Sequence, residues 1–146
     1  MKKIELITQK EEIKKLLFEI DDLFIPRISK KIEDFDNYSI KLINNAIIYQ
    51  IKIDNQCAGI LIFYINRKTK ISYLTMIAVK NRYQNLGLGK ELLYLYENIS
   101  KKEEMKKLKL EVYDKNLNAI NFYKKFGFKF LNKASNESHY MSKEII

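Results

Sequence analysis

The spacing of apolar positions changes period along the chain, and each change marks a new element. Lys3 to Thr8 alternates apolar and polar residues and predicts a first strand. From Lys10 to Phe24 the apolar residues Ile13, Leu16, Leu17, Ile20, Leu23 and Phe24 follow helical spacing, and Pro26 ends that element. Ser29 to Ile43 predicts a second helical stretch with a break near Asp36-Asn37. Ala46 to Ile53 and Ala58 to Ile65 are β-rich, and Asp54-Asn55-Gln56 between them is a short hairpin connection. Asn66 to Lys70 is the next turn and Ile71 to Val79 the next strand, so the middle of the chain is an antiparallel meander. After Gly87, Leu88, Leu92, Leu95 and Ile99 recur at i, i+4, i+7 and i+11, one buried helical stripe. Leu108 to Tyr113 is a further strand, and a strand–helix–strand crossover implies a parallel pair. Asn116 to Phe126 is a helix ended by Gly127, and Phe128 to Leu131 with His139 to Ile145 forms a closing hairpin. The order β-α-α-β-β-β-α-β-α-β-β describes an α/β fold with a mixed, mostly antiparallel central sheet flanked by helices.

Length and composition narrow the class. The 146 residues suffice for one domain with a real core, and with a single proline and four glycines no flexible linker is written, so one domain over 1–146 is expected. No apolar run approaches the roughly 20 residues that span a bilayer, and the basic start soon turns polar, unlike a secretory signal. The lone Cys57 cannot form an internal disulfide, which suits a reducing compartment, and a cytoplasmic location is expected. The net charge is 27 − 18 = +9. It reads either as a match for an anionic partner or as compositional bias toward lysine, isoleucine and asparagine, and the second accounts for most of it. The Lys101 to Lys109 stretch also carries Glu103 and Glu104 and reads as a solvated helix end.

Chemistry enters at Val79 to Gly89, V-K-N-R-Y-Q-N-L-G-L-G, between a strand and a helix. Glycine at 87 and 89 lets the backbone approach a ligand and adopt positive φ. The amides that open the helix have no intrahelical partners and can hold an anion, a pyrophosphate above all. Arg82 and Lys90 flank the turn and could add charge. A Walker A loop is excluded because no G-x-x-x-x-G-K-[ST] is present, and the hairpin meander before the turn argues against a dinucleotide Rossmann unit. A second motif runs from Leu110 to Phe128. Asn116 and Tyr123 lie seven residues apart, within roughly 20° on a helix, and Ala119 shares their face. Such a face suits a ligand wall. Taken singly, Asn116 reads as an N-cap and Tyr123 as a boundary tyrosine.

Together the two motifs, V-x-x-x-x-Q-x-x-G-x-G and N-x-x-A-x-x-x-Y-x-x-x-G-F, resemble the GCN5-related N-acetyltransferase (GNAT) superfamily, from about Ala46 to Phe128. The resemblance implies acetyl-coenzyme A as cofactor, its pyrophosphate on the amides of Gln84, Asn85, Leu86, Gly87, Leu88 and Gly89, with Lys90 beside them. It implies a pantetheine arm along the backbone of Ile77 and Val79, with an amide near Ile77 polarising the thioester carbonyl. Asn116 matches a residue that contacts the cofactor or an ordered water. Tyr123 matches the family tyrosine proposed as general acid, and a phenol's ordinary pKa of about 10 keeps it protonated at neutral pH. Glu111, twelve residues before Tyr123, matches the base proposed in the ribosomal-protein N-terminal branch, acting through water. The acceptor region, drawn in this family from the first helices and central strands, offers Tyr38, Lys41, Tyr64, Tyr73 and Thr75. His139 is assigned a structural or rim role, and no Cys, His and carboxylate cluster has metal-ligand spacing, so no metal is expected.

The expected function is therefore N-acetyl transfer from acetyl-CoA to a primary amine of a small molecule, an amino sugar or a polyamine-like amine. The stretch I-P-R-I-S-K-K-I followed by Tyr38 and Lys41 resembles small GNAT proteins of bacterial polysaccharide loci. One alternative is acetylation of a protein N-terminus, suggested by L-E-V and Tyr123, although Leu131 to Tyr140 is short for that branch. Another is a non-enzymatic module that keeps the fold and binds coenzyme A or RNA. No aromatic–basic interleaving of an RNA-recognition type is present, so nucleic acid is not favoured as a partner. The expected partner is a small amine, with no membrane, and the assembly a monomer or homodimer.

Overall fold

A computed structural model describes residues 1–146. Strand β1 (Lys2–Leu6) leads into helix α1 (Lys10–Ile20), the short α2 (Ile28–Lys31) and α3 (Phe35–Asn45). The meander β2 (Ile47–Ile53), β3 (Gln56–Asn66) and β4 (Ile71–Val79) follows. Next come α4 (Leu88–Lys102), β5 (Lys107–Tyr113), α5 (Leu117–Lys125) and the hairpin β6 (Lys129–Lys133) and β7 (Ser138–Glu144). The expected order holds, with the second helical stretch divided in two. Its break falls at Ile32 to Asp34, slightly earlier than the pattern suggests, because Asp34 caps α3 by accepting from the Asn37 amide at 3.1 Å. Helix α1 stops at Ile20 rather than Phe24. Asp21 and Asp22 would place negative charge on the unfavourable end of the helix dipole, and the chain tightens there into a 3-10 turn. The Asp21 carboxylate instead holds the start of α2, accepting from the Ser29 amide and hydroxyl, each at 2.7 Å.

The seven strands form one sheet in the order β1-β2-β3-β4-β5-β7-β6, antiparallel except for β4 with β5. The β2–β3 turn is closed by Asp54 and Asn55, both at positive φ, as a two-residue hairpin of this twist requires. Strand β3 is buried on both faces, which is why it reads as a continuous apolar run instead of alternating. Leu61 and Phe63 face the core under α4 and α5, and Ile60 and Ile62 face the core under α1 and α3.

Helix α4 buries more than the predicted stripe. Leu88 and Leu92 are buried, but Leu95 and Ile99 are only partly so, and the deepest line adds Leu93, Tyr96 and Ser100. Two of these are polar yet satisfied: the Tyr96 hydroxyl donates to the Ser72 carbonyl, and Ser100 Oγ bonds Ser72 Oγ at 2.7 Å. Gly59 of β3 lets the helix sit this close, since a Cβ there would lie 3.2 Å from Leu92 Cδ1 and 3.1 Å from the Ala78 carbonyl.

Candidate active site

The cleft begins where β4 and β5 part. Their parallel pairing covers only Ile71 to Leu74 against Lys107 to Leu110. On the other edge of β4, Ile62 faces Met76 while Phe63 faces Leu74, so Thr75 is an extra, bulged residue. A bulge bends its strand and raises its twist, and β4 departs from β5 at that point. The gap opens into a cleft of about 660 Å³. Ile77 and Val79 line it, on the edge of β4 that β5 no longer covers.

The turn after β4 forms one end of the cleft. Gln84 lines the cleft, but its amide is not free as expected: it donates to the Asn81 carbonyl at 3.3 Å, while its Nε2 donates to the Val79 carbonyl at 3.0 Å and to Asn81 Oδ1 at 3.1 Å, bracing the loop against the strand end. Asn85 and Gly87 both adopt positive φ, and Gly87 is the N-cap of α4. The amides of Asn85 through Lys90 make no hydrogen bond within the protein; the first helical bond in the turn is Glu91 N–H to the Gly87 carbonyl. A Cβ on Gly87 would meet nothing within 4 Å, so the space above it is open. Consecutive unpartnered amides at the start of a helix fit the charge and shape of a pyrophosphate. Leu86 is exposed and points away from the cleft lining, whereas Leu88 is buried under the loop. Lys90 lines the cleft, but Arg82 lies over the Tyr83 ring at 5.5 Å and borders a neighbouring groove instead.

Helix α5 forms the facing wall. Asn116 is its N-cap, accepting from the Ala119 amide at 3.2 Å, and it also lines the cleft with Ala119 and Phe122. Tyr123 packs edge-on against Phe128, with ring centres 5.7 Å apart, and its hydroxyl makes no protein hydrogen bond. Burial pushes the Tyr123 phenol well above its ordinary pKa.

Glu111 lies on β5 just past the last residue paired with β4, and it lines the large cleft and a second cavity of about 240 Å³. Its Oε2 accepts from Ser138 Oγ at 2.7 Å, and Ser138 Oγ is 2.7 Å from Ser135 Oγ. The direction of this chain is fixed. If Ser138 gives its one proton to the carboxylate, Ser135 must donate to Ser138, while the Glu137 amide donates to Ser135 at 3.1 Å. Glu111 Oε1 is left without a protein partner. The second cavity shares Thr75 and Glu111 with the large cleft and adds Tyr38 and Tyr73 from α3 and β4. Burial pushes both of these phenols up to about 12.

The chain therefore gathers Ile77, Val79, the 84–90 turn, Asn116, Tyr123 and Glu111 about one cleft, with Tyr38, Tyr73 and Thr75 in the adjoining cavity. Tyr64 pairs with Tyr73 across β3 and β4 but lines neither space, and Lys41 is exposed on α3 away from both. Sequence reading missed Ser138, Tyr113 and the apolar lip of Leu23, Phe24 and Ile25. Ser138 reaches Glu111 only through the β5–β7 register, in which Glu111 faces Tyr140, and no local pattern announces that pairing. His139 lies on the hairpin, its Nδ1 2.6 Å from Asp114 Oδ1 and its ring edge-on to Phe130. No three His, Cys, Asp or Glu side chains are grouped to hold a metal, and no helix is long and apolar enough to cross a membrane.

Comparison with known proteins gives the family and the fold relatives. Residues 14–128 match the model of the acetyltransferase (GNAT) family. The chain is 34% identical over 59 residues to the spermine/spermidine N(1)-acetyltransferase of Bacillus subtilis (strain 168), a match covering 40% of this chain and 39% of that protein. Its fold is similar to an acetyltransferase of the GNAT family from Staphylococcus aureus Mu50, with a TM-score of 0.81 at 18% identity over 100% of each chain. It is also similar in fold to the PaiA N-acetyltransferase from Thermoplasma acidophilum in complex with coenzyme A, with a TM-score of 0.75 at 22% identity, covering 98% of this chain and 99% of that one. With that family model spanning most of its residues, this chain belongs to the GNAT acetyltransferase family.

Proposed function

We propose that the protein transfers an acetyl group from acetyl-CoA to the primary amine of a small molecule. The observation that carries this reading is the run of unpartnered amides from Asn85 to Lys90 opening onto a cleft that leads to Glu111 and Tyr123. Acetyl-CoA supplies the acyl group as an activated thioester. The Asn85 to Lys90 amides, with Lys90 beside them, hold the pyrophosphate without further rearrangement, because nothing in the protein competes for them. The free edge of β4 at Ile77 and Val79 orients the arm, and the Ile77 amide polarises the reacting carbonyl.

The amine must lose a proton to attack. Glu111 takes it, directly or through one water, using the Oε1 that Ser138 leaves free. As the new carbon–nitrogen bond forms and the carbon–sulfur bond breaks, the nitrogen sheds its second proton, which leaves with the thiol, and Glu111 returns the first to solvent. Tyr123 supplies an O–H donor to the departing sulfur. A thiol's ordinary pKa of about 8.5 lies below that of a phenol raised by burial, so full proton transfer from Tyr123 is uphill and its contribution is a hydrogen bond to developing negative charge.

Thiol release from acetyl-CoA against a panel of amines, amino sugars and peptides tests the reading. Release with small primary amines is expected, and release with peptides alone would point to N-terminal acetylation of proteins. Tyr123→Phe should keep acetyl-CoA affinity and lower turnover by roughly 10- to 100-fold, the worth of about 1.5–3 kcal/mol for a hydrogen bond to a charged group. Wild-type turnover in that variant would reduce Tyr123 to a packing residue.

A further inference from the structure

The smaller cavity narrows the acceptor itself, an inference that rests on the proposed reaction. Its walls are mostly apolar, formed by Phe24, Ile28, Ile32, Leu74 and Met76 among others. Glu111 is the only carboxylate lining either this cavity or the large cleft. The only other charged groups are cations, Lys31 in the small cavity and Lys90 in the large cleft. The Tyr38 and Tyr73 hydroxyls make no protein hydrogen bond, and burial keeps both protonated far above neutral pH.

One carboxylate and two tyrosine rings suit one ammonium group. A second ammonium on the same molecule would be drawn partly out of water with no carboxylate to pair it and Lys31 to repel it. A sugar's hydroxyls could pair with Tyr38, Tyr73, Tyr113 and Thr75, but those turned toward Phe24, Ile28 and Ile32 would lose water without a partner. We propose that the acceptor is a primary amine with a single positive charge and a compact apolar body, its ammonium at Glu111 and its body among Phe24, Ile28 and Ile32. Polyamines and amino sugars are disfavoured by the same walls. Lys31 is exposed at the cavity's edge and acts as a filter against dications.

Calorimetry near neutral pH, with saturating coenzyme A, can compare n-pentylamine, 1,5-diaminopentane and glucosamine, alongside thiol release from acetyl-CoA with each. Pentylamine is expected to bind about tenfold or more tightly than either of the others. Lys31→Glu, which adds a second carboxylate on an exposed position, should shift that ratio several-fold toward the diamine. Equal or tighter binding of the diamine or the sugar by the wild type, or no binding of pentylamine, overturns the inference. A ratio unmoved by Lys31→Glu overturns the filter. Selective binding of pentylamine without thiol release would sink the transferase reading and leave the pocket assignment standing. Thiol release that favours the diamine would do the reverse.

Discussion

Glu111 gains its role from what holds it as much as from where it stands. On an exposed strand position a carboxylate samples several rotamers, and the Ser135–Ser138 chain selects one by donating to Oε2. If Glu111 takes the acceptor's proton, Glu111→Gln keeps the shape and removes the base. Turnover should fall at neutral pH and partly return at high pH, where free amine is abundant without help. Ser138→Ala keeps the base but frees its rotamer, so kcat should fall less than in Glu111→Gln, with KM for acetyl-CoA unchanged. Ser138→Thr, which retains the hydroxyl, should restore it. pH–rate profiles of the four enzymes on one acceptor decide the matter. Parallel profiles for Glu111→Gln and wild type would make Glu111 a structural carboxylate, and failure of threonine to rescue would remove Ser138 as its positioning residue.

Elements fix what single residues cannot. The close approach of α4 to β3 sets where the 84–90 turn stands, and Gly59 permits it. Gly59→Val would press a branched side chain against Leu92 and the Ala78 carbonyl, and overpacking of this kind costs about 1–3 kcal/mol. Chemical denaturation should show that loss, and a cost near zero would mean the helix has room to retreat. The same elements explain what could be read from the chain alone. The turn and the α5 face were legible because each is local: consecutive amides and two glycines in one case, a seven-residue helical spacing in the other. Asn116 combines both readings made of it, since it caps α5 and lines the cleft. The Thr75 bulge and the Ser138 contact were not legible, because each exists only in the register between strands. The end of α1 was hidden by Leu23 and Phe24, which keep helical spacing after the helix has stopped and serve the cleft lip instead.

At the scale of the whole molecule, buried phenols tie stability to alkaline pH. Tyr38 and Tyr73 are held neutral to about 12, while an unfolded chain ionises tyrosine near 10. Their contribution is therefore complete below about pH 10 and is lost as pH rises toward 12. Melting temperatures taken across that window should fall, and the Tyr38→Phe/Tyr73→Phe double variant should fall less steeply; identical slopes would assign the loss to other groups. The central claim spans the molecule too, since it requires the meander, the splayed strands and α4 to present one set of free amides to a pyrophosphate. Gly87→Val tests it most directly. The variant places a β-branched side chain at φ +78° in the open space above the loop, at a strain of about 1–2 kcal/mol, small beside a typical folding stability of about 5–15 kcal/mol. Calorimetric titration of acetyl-CoA into wild type and variant should show tight binding in the first and a large loss in the second while the variant still melts cooperatively. Unchanged affinity in the folded variant would take the 84–90 turn out of the site and contradict the account.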